Sequence, residues 1–129
     1  MLFRPLVLCV DDEPLLTSAL SRLLRQWGAE VLTASNGREA LDLLARTAAR
    51  PDLIFTDLLM PVLGGEGLLR ALRADPALAA VPVVVLSASH TQERAAAFVP
   101  KPFTAAEVRA VFDALCPPVQ LQEPGRLCG

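Results

Sequence analysis

The chain has 129 residues and a mass of 13.8 kDa, which predicts a single domain large enough to bury a hydrophobic core. Its residues are 53% hydrophobic and 20% charged, a composition that excludes an intrinsically disordered chain. The formal net charge of -2 and the lack of any cluster of Lys and Arg argue against direct binding to nucleic acid.

The sequence also argues against membrane insertion, secretion and structural zinc binding. No apolar run reaches the roughly 18 residues that a transmembrane helix needs. The apolar first ten residues run directly into the acidic triplet D-D-E without a small-residue cleavage site, unlike a signal peptide. The three cysteines (Cys9, Cys116 and Cys128) and the single histidine, His90, lack the spacing of metal ligands. We therefore expect a cytoplasmic protein in a reducing compartment.

Apolar runs of strand length alternate along the chain with segments of helical periodicity. The five predicted strands are residues 6–10, 30–34, 52–56, 81–88 and 96–99. The predicted helices are a segment from Pro14 to Gly28 capped by Asp12 or Glu13, a segment capped by Asn36, residues 66–74, and residues 105–115 with a capping box of Thr104 and Glu107. Residues 1–116 form the predicted domain, and residues 117–129 form an irregular tail.

This alternation predicts an α/β fold with a parallel sheet covered by helices on both faces. In such folds ligands bind beyond the carboxyl ends of the strands. Five polar residues are predicted at that edge: Asp11, Asp12, Asp57, Ser87 and Lys101. Lys101 is the only lysine beside eleven arginines, which favours a site that needs a compact point charge.

The chemistry of these side chains suggests phosphoryl transfer. Three neighbouring carboxylates repel one another, and a bound Mg²⁺, which prefers oxygen ligands, would relieve that repulsion. An ionised carboxylate such as Asp57 is also a nucleophile toward phosphorus and can form an aspartyl-phosphate. A cation and a hydroxyl, from Lys101 and Ser87, could then bind the phosphoryl oxygens.

Four motifs in this order resemble the receiver domain of bacterial two-component response regulators, of the chemotaxis-regulator type. They are V-D-D-E-P, D-L-L-M-P followed by G-G, L-S-A-S and K-P-F, and the resemblance covers about residues 5–116. It implies a flavodoxin-like, doubly wound sheet of five parallel strands in the order 2-1-3-4-5. It also implies that a histidine kinase or phosphotransfer protein donates the phosphoryl group.

The resemblance assigns a role to each residue of the site. Asp57 is the implied phosphoacceptor, Asp12 a direct Mg²⁺ ligand, and Asp11 a ligand acting mainly through a metal-bound water. The backbone carbonyl of Leu59 is a further implied ligand. Ser87 and Lys101 are implied to hold the phosphoryl oxygens. The Lys101–Pro102 bond is expected to be cis, and Phe98 corresponds to the aromatic switch position of the family.

The sequence departs from the family pattern in three places. Only thirteen residues separate Ser87 from Lys101, so the helix between the fourth and fifth strands is predicted to be shortened. Leu59 and Ser89 flank the site, and an aliphatic side chain at position 59 cannot position an attacking water. Gly64 replaces a common Asp or Asn, and a glycine at positive φ would suit that turn equally well.

Three classes of function follow. The first is a phospho-accepting switch that signals through a surface to an unknown downstream protein. The second is a degenerate receiver that acts as a phosphorylation-independent interaction module. The third is a hydrolase with an aspartyl nucleophile, as in haloacid-dehalogenase-like phosphatases. That class is less well matched, because its nucleophile lies in a D-x-D motif after the first strand.

Overall fold

The computed structural model describes residues 4–89, 91 and 93–116. The strands are β1 (Leu6–Val10), β2 (Glu30–Ala34), β3 (Leu53–Thr56), β4 (Val83–Leu86) and β5 (Ala97–Val99). The helices are α1 (Pro14–Gln26), α2 (Gly37–Thr47), α3 (Gly65–Ala74) and α4 (Ala105–Leu115). Within this part of the chain, no helix combines the length and hydrophobicity needed to cross a membrane.

The five strands form one parallel sheet in the order β2-β1-β3-β4-β5, which confirms the predicted fold. Alternate residues of each strand face opposite sides of the sheet. Leu8 and Ile54 pack in a cluster with residues of α2 and α3, whereas Cys9 and Phe55 pack in a second cluster with residues of α1 and α4. The sheet is therefore covered on both faces, and its three central strands β1, β3 and β4 are buried almost throughout.

The helices α2 and α4 begin directly after the capping residues that the sequence predicts. The Asn36 side chain accepts a hydrogen bond from the backbone N–H of Glu39, and Thr104 and Glu107 form the expected capping box. At the start of α1 the N-cap residue is Glu13, but its side chain makes no capping hydrogen bond. Instead, the Glu13 N–H donates to Asp11 Oδ1 at 3.0 Å. The predicted strands extended one to two residues too far at several ends.

The predicted short helix between β4 and β5 is wrong for the described residues 87–89, 91 and 93–96, which contain no helix. Two arginines of α3 hold this connector instead. The Arg73 guanidinium donates to the backbone carbonyl of Arg94 at 2.6 Å, and Arg70 pairs with Glu93 at 2.9 Å. A connector this short is anchored by side chains from a neighbouring helix rather than by a packed helix of its own.

Phe98 lies on β5 opposite Val85, on the sheet face covered elsewhere by α2 and α3. Its side chain is 47% exposed, so it is not a core residue. The predicted tail, residues 117–129, and His90 lie outside the described residues.

Candidate functional site

The sheet brings the acidic residues together. β1 and β3 are parallel neighbours in which Val10 lies opposite Thr56, so Asp11 and Asp57 leave the sheet side by side. The Asp57 N–H donates to the carbonyl of Val10, which extends the ladder to the acid itself. One carboxylate oxygen from each of Asp11, Asp12 and Asp57 lies within 4.8 Å of the others. The structure therefore forms the acidic cluster that the sequence predicts.

Two of these acids are buried, and both oxygens of each are hydrogen-bonded. Asp11 accepts from the Glu13 N–H at 3.0 Å and from Lys101 Nζ at 2.9 Å. Asp57 accepts from the Leu58 N–H at 2.7 Å and from Lys101 Nζ at 3.1 Å. These contacts fix both carboxylates, and Lys101 supplies a positive charge to each.

Asp12 differs from the other two acids. Its side chain is exposed, and it has no hydrogen bond or ion pair with any residue that the structure describes. Its oxygens are thus open to solvent at the mouth of the cluster. Solvent-facing carboxylate oxygens of this kind suit a direct ligand for a divalent cation.

Lys101 follows β5 and reaches across the sheet edge. Its backbone N–H donates to the carbonyl of Ser87 at 3.3 Å, and the Lys101–Pro102 bond is cis, as expected. Burial tends to lower the pKa of the Lys101 amine, but the hydrogen bonds with Asp11 and Asp57 outweigh burial and raise that pKa above its ordinary value. The amine is therefore positively charged at neutral pH.

Ser87 follows β4 and is buried beside the backbone of Lys101. Its hydroxyl oxygen accepts a hydrogen bond from the Ser89 N–H at 3.1 Å. Because a hydroxyl can accept and donate at once, the Ser87 proton remains able to reach a further oxygen in the site.

The loop after Asp57 presents backbone and apolar groups at the mouth of the site. The Leu59 side chain is 69% exposed, and its carbonyl oxygen accepts no hydrogen bond from the described residues. A Cβ at Gly65 would collide with the carbonyl oxygen of Asp57, so only glycine lets α3 begin this close to the acid. Gly64 itself does not adopt the positive φ that its turn could accommodate, since its φ is -81°. Gly64 is needed for close packing, because a Cβ there would lie 2.6 Å from the Leu58 carbonyl oxygen.

The positive φ in this loop belongs to Val62, at 70°. Val62 is the centre of a three-residue turn in which the Leu63 N–H donates to the Pro61 carbonyl at 2.8 Å. A β-branched residue is strained in this conformation, and the Val62 side chain is 80% exposed, so it gains little from burial.

We therefore expect Val62→Asn to stabilise the domain by about 1 kcal/mol, because Asn tolerates positive φ far better than Val. Chemical denaturation at equilibrium measures this change. A variant equal to or less stable than the wild type would contradict the assignment of strain to Val62.

Two residues near the site were not predicted to act there. The sequence indicates Glu13 only as one of two candidate caps of α1, beside Asp12, yet its Oε1 lies 3.8 Å from Lys101 Nζ. The buried hydroxyl of Thr56 donates to the Asp57 carbonyl at 2.8 Å and stiffens the backbone of the acid. The D-D-E triplet shows that a third acid, Glu13, follows Asp11 and Asp12 in the chain. No sequence pattern indicates that this acid lies close to Lys101.

Comparisons with known proteins agree with this geometry. The family model described as "Response regulator receiver domain" matches residues 7–113. The transcriptional regulatory protein PrrA of Mycobacterium tuberculosis is 44% identical over 119 residues, covering 86% of this chain and 49% of that protein. The chain thus spans about half the length of the curated relatives it matches first.

Two solved structures show the same architecture. The signal receiver domain of a signal transduction histidine kinase from Syntrophus aciditrophicus superposes with a TM-score of 0.81 at 29% identity, covering 97% of this chain and 99% of that one. The receiver domain of sensor histidine kinase PA1611 from Pseudomonas aeruginosa gives a TM-score of 0.79 at 26% identity, covering 88% and 98% of the two chains. That structure has a magnesium ion coordinated in the active site cleft.

Proposed function

This chain belongs to the response regulator receiver domain family, and on that premise we propose that it is a signalling switch whose Asp57 accepts a phosphoryl group. The observation that supports this proposal best is the position of Asp57. It is a buried carboxylate held between Lys101 and the acids Asp11 and Asp12, at the carboxyl end of a central strand. Members of this family are signalling switches of two-component systems rather than classical enzymes.

The proposed reaction moves one phosphoryl group. An oxygen of the ionised Asp57 carboxylate forms a bond to phosphorus, and the bond from phosphorus to a donor histidine nitrogen breaks. The departing imidazole keeps the electron pair of that bond. We propose a histidine kinase or a phosphotransfer protein as the donor. The reaction would take place in the cytoplasm, and the free thiols of the buried Cys9 and Cys116 are consistent with that compartment.

The donor atoms of the site fit Mg²⁺. Asp12, Asp57 and the carbonyl of Leu59 would hold the ion directly, and Asp11 would act through water, since all four groups offer the oxygen ligands that Mg²⁺ prefers. When bound, the ion would offset the repulsion among the carboxylates and the incoming phosphoryl oxygens. Lys101 and Ser87 would bind the phosphoryl oxygens from the opposite side.

Lys101 and Ser87 also provide a route for the signal. The backbones of both residues form hydrogen bonds just beyond the C-terminal ends of β4 and β5. Phe98 lies three residues before the lysine. A phosphoryl group that draws Lys101 away from Asp11 would pull on β5. Phosphorylation would then shift the populations of the conformations of the exposed surface around Phe98, where we expect a downstream protein partner to bind.

Exposure of the protein to a small acyl phosphate tests the proposal. We expect intact-mass measurement to show one added phosphoryl group in the presence of Mg²⁺, and none when a chelator is present. Labelling that is equal with and without chelator would contradict the assigned role of the acidic cluster.

The exposed Leu59 predicts a long-lived phosphoryl group, because neither Leu59 nor Ser89 is suited to position an attacking water. We expect Leu59→Asn to accelerate loss of the label by roughly tenfold, less than full general-base catalysis provides. The decay of the mass-shifted species over time measures this rate. Val62→Asn is the matched control, since it places the same amide in the same loop. Equal acceleration by both variants, or by neither, would contradict the prediction.

A phosphorylation-independent interaction module is the second candidate. The exposed apolar side chains of Leu15 and Phe98 favour it, because each could contact a partner without any change at Asp57. Partner binding that is the same for the wild type and for a variant without Asp57 would support this function over the switch.

A further inference from the structure

Lys101 Nζ lies within ion-pair distance of three carboxylates. It is 2.9 Å from Asp11 Oδ2, 3.1 Å from Asp57 Oδ2 and 3.8 Å from Glu13 Oε1. The two shorter contacts are with buried acids, whereas the Glu13 side chain is 68% exposed. Glu13 is therefore the one member of this set that lies on the solvent side of the lysine.

The proposed function creates a conflict for this lysine. Asp57 Oδ2 bonds to Lys101, yet the Asp57 carboxylate is also proposed to bind Mg²⁺ and to accept the phosphoryl group. A divalent cation beside Asp11 and Asp57 repels the ammonium group and competes with it for the same oxygens. Lys101 must then loosen its contact with Asp57 while its side chain remains only 17% exposed. Asp11 can still accept one hydrogen bond from the amine, but the N–H released by Asp57 needs another acceptor.

We propose that Glu13 is a positioning residue that receives the Lys101 ammonium group when Mg²⁺ occupies the acidic cluster. This inference rests on the proposed Mg²⁺ binding. The Glu13 backbone is fixed, because it forms the N-cap of α1 and donates its N–H to Asp11. Its side chain lines an open groove shared with Lys101 and Phe103, so a small shift of the amine brings the two charges into direct contact. Glu13 thereby lowers the free energy needed to release Asp57 and favours metal binding.

Glu39 provides a matched control for charge. It lines a second groove, separate from the groove of Glu13 and Lys101, and that second groove is also lined by Asp11 and Asp12. Its carboxylate accepts hydrogen bonds from the backbone and hydroxyl of Ser35, and it forms no ion pair with Lys101 in the part of the chain that the structure describes. Glu39→Gln therefore removes the same charge near the cluster without affecting an acceptor for the lysine.

A double-mutant cycle on the full chain tests the proposal, with the Mg²⁺ dissociation constant measured by calorimetry. We expect Glu13→Gln to weaken Mg²⁺ binding about three- to fivefold when Lys101 is present, the size expected for an exposed ion pair. In the Lys101→Ala background the same change should have less than a twofold effect. Glu39→Gln should have the same effect in both backgrounds. Lys101→Met replaces Lys101→Ala if circular dichroism shows that the alanine variant is unfolded.

Because Lys101 is the only lysine, ¹⁵Nζ-lysine labelling gives a single side-chain ammonium resonance for an independent measurement. We expect Mg²⁺ to shift this resonance in the wild type while it stays protected from exchange, and the protection to be lost in Glu13→Gln. Equal effects of Glu13→Gln in both lysine backgrounds, with unchanged protection, would overturn the role of Glu13 and leave Mg²⁺ binding intact. A wild-type protein that binds no Mg²⁺ would overturn the proposed metal site and this inference together.

Discussion

Asp57→Asn is expected to reduce phosphoryl labelling by at least about a hundredfold, to below detection, while the domain stays folded. The amide has the shape of the carboxylate and can still accept the Leu58 N–H, but it carries no charge and is not a nucleophile toward phosphorus. Intact-mass measurement after exposure to an acyl phosphate and Mg²⁺ gives the extent of labelling, and circular dichroism confirms folding.

Asp52→Asn is the matched control for this variant. Asp52 precedes β3 at the opposite end of the strand from Asp57, and its Oδ2 accepts the Leu6 N–H at 2.8 Å. An amide oxygen can take over that hydrogen bond, so labelling should equal that of the wild type. Full labelling of Asp57→Asn, or its loss in Asp52→Asn, would contradict the assignment of the acceptor.

Lys101→Ala is expected to slow phosphoryl transfer about a hundredfold, the size of effect seen when one charge-stabilising donor is removed from an active site. The variant leaves Asp11 and Asp57 without the cation that offsets their repulsion, and no other Lys or Arg pairs with them in the described residues. The initial rate of label accumulation, measured at saturating Mg²⁺, gives the size of the effect.

Lys101→Arg separates charge from geometry. The guanidinium keeps the positive charge, but its planar fork cannot occupy the position of a compact ammonium between two buried carboxylates. We expect it to label faster than Lys101→Ala and yet to lose the response of β5, measured as hydrogen exchange at Ala97–Val99 before and after phosphorylation. An arginine variant that responds like the wild type would contradict the role of the lysine in transmitting the signal.

The parts of the fold that could be predicted from the sequence depend on local signals. The apolar run Leu6–Val10 fits a strand buried on both faces, and the capping box of Thr104 and Glu107 marks the start of α4 to the residue. The convergence of Asp11 and Asp57 followed from one rule, that parallel strands end at the same edge. Helix and strand periodicity therefore determined most of the framework of the site.

The errors arose where distant residues decide the conformation. The connector after β4 is held by Arg70 and Arg73 of α3, and neither arginine carries a sequence signal for that contact. The positive φ fell on Val62 rather than Gly64, because packing of Gly64 against the Leu58 carbonyl sets the path of the loop. The position of Glu13 beside Lys101 is likewise a tertiary contact over a long sequence separation.

The most direct test of the central claim identifies the phosphorylated residue itself. Borohydride reduces an aspartyl-phosphate to homoserine, and tandem mass spectrometry of proteolytic peptides then locates the changed residue. After labelling with an acyl phosphate and Mg²⁺, we expect homoserine at position 57 and unmodified aspartate at Asp11, Asp12 and Asp52. Homoserine at any of those three positions, or none at position 57 in a labelled protein, would contradict the account.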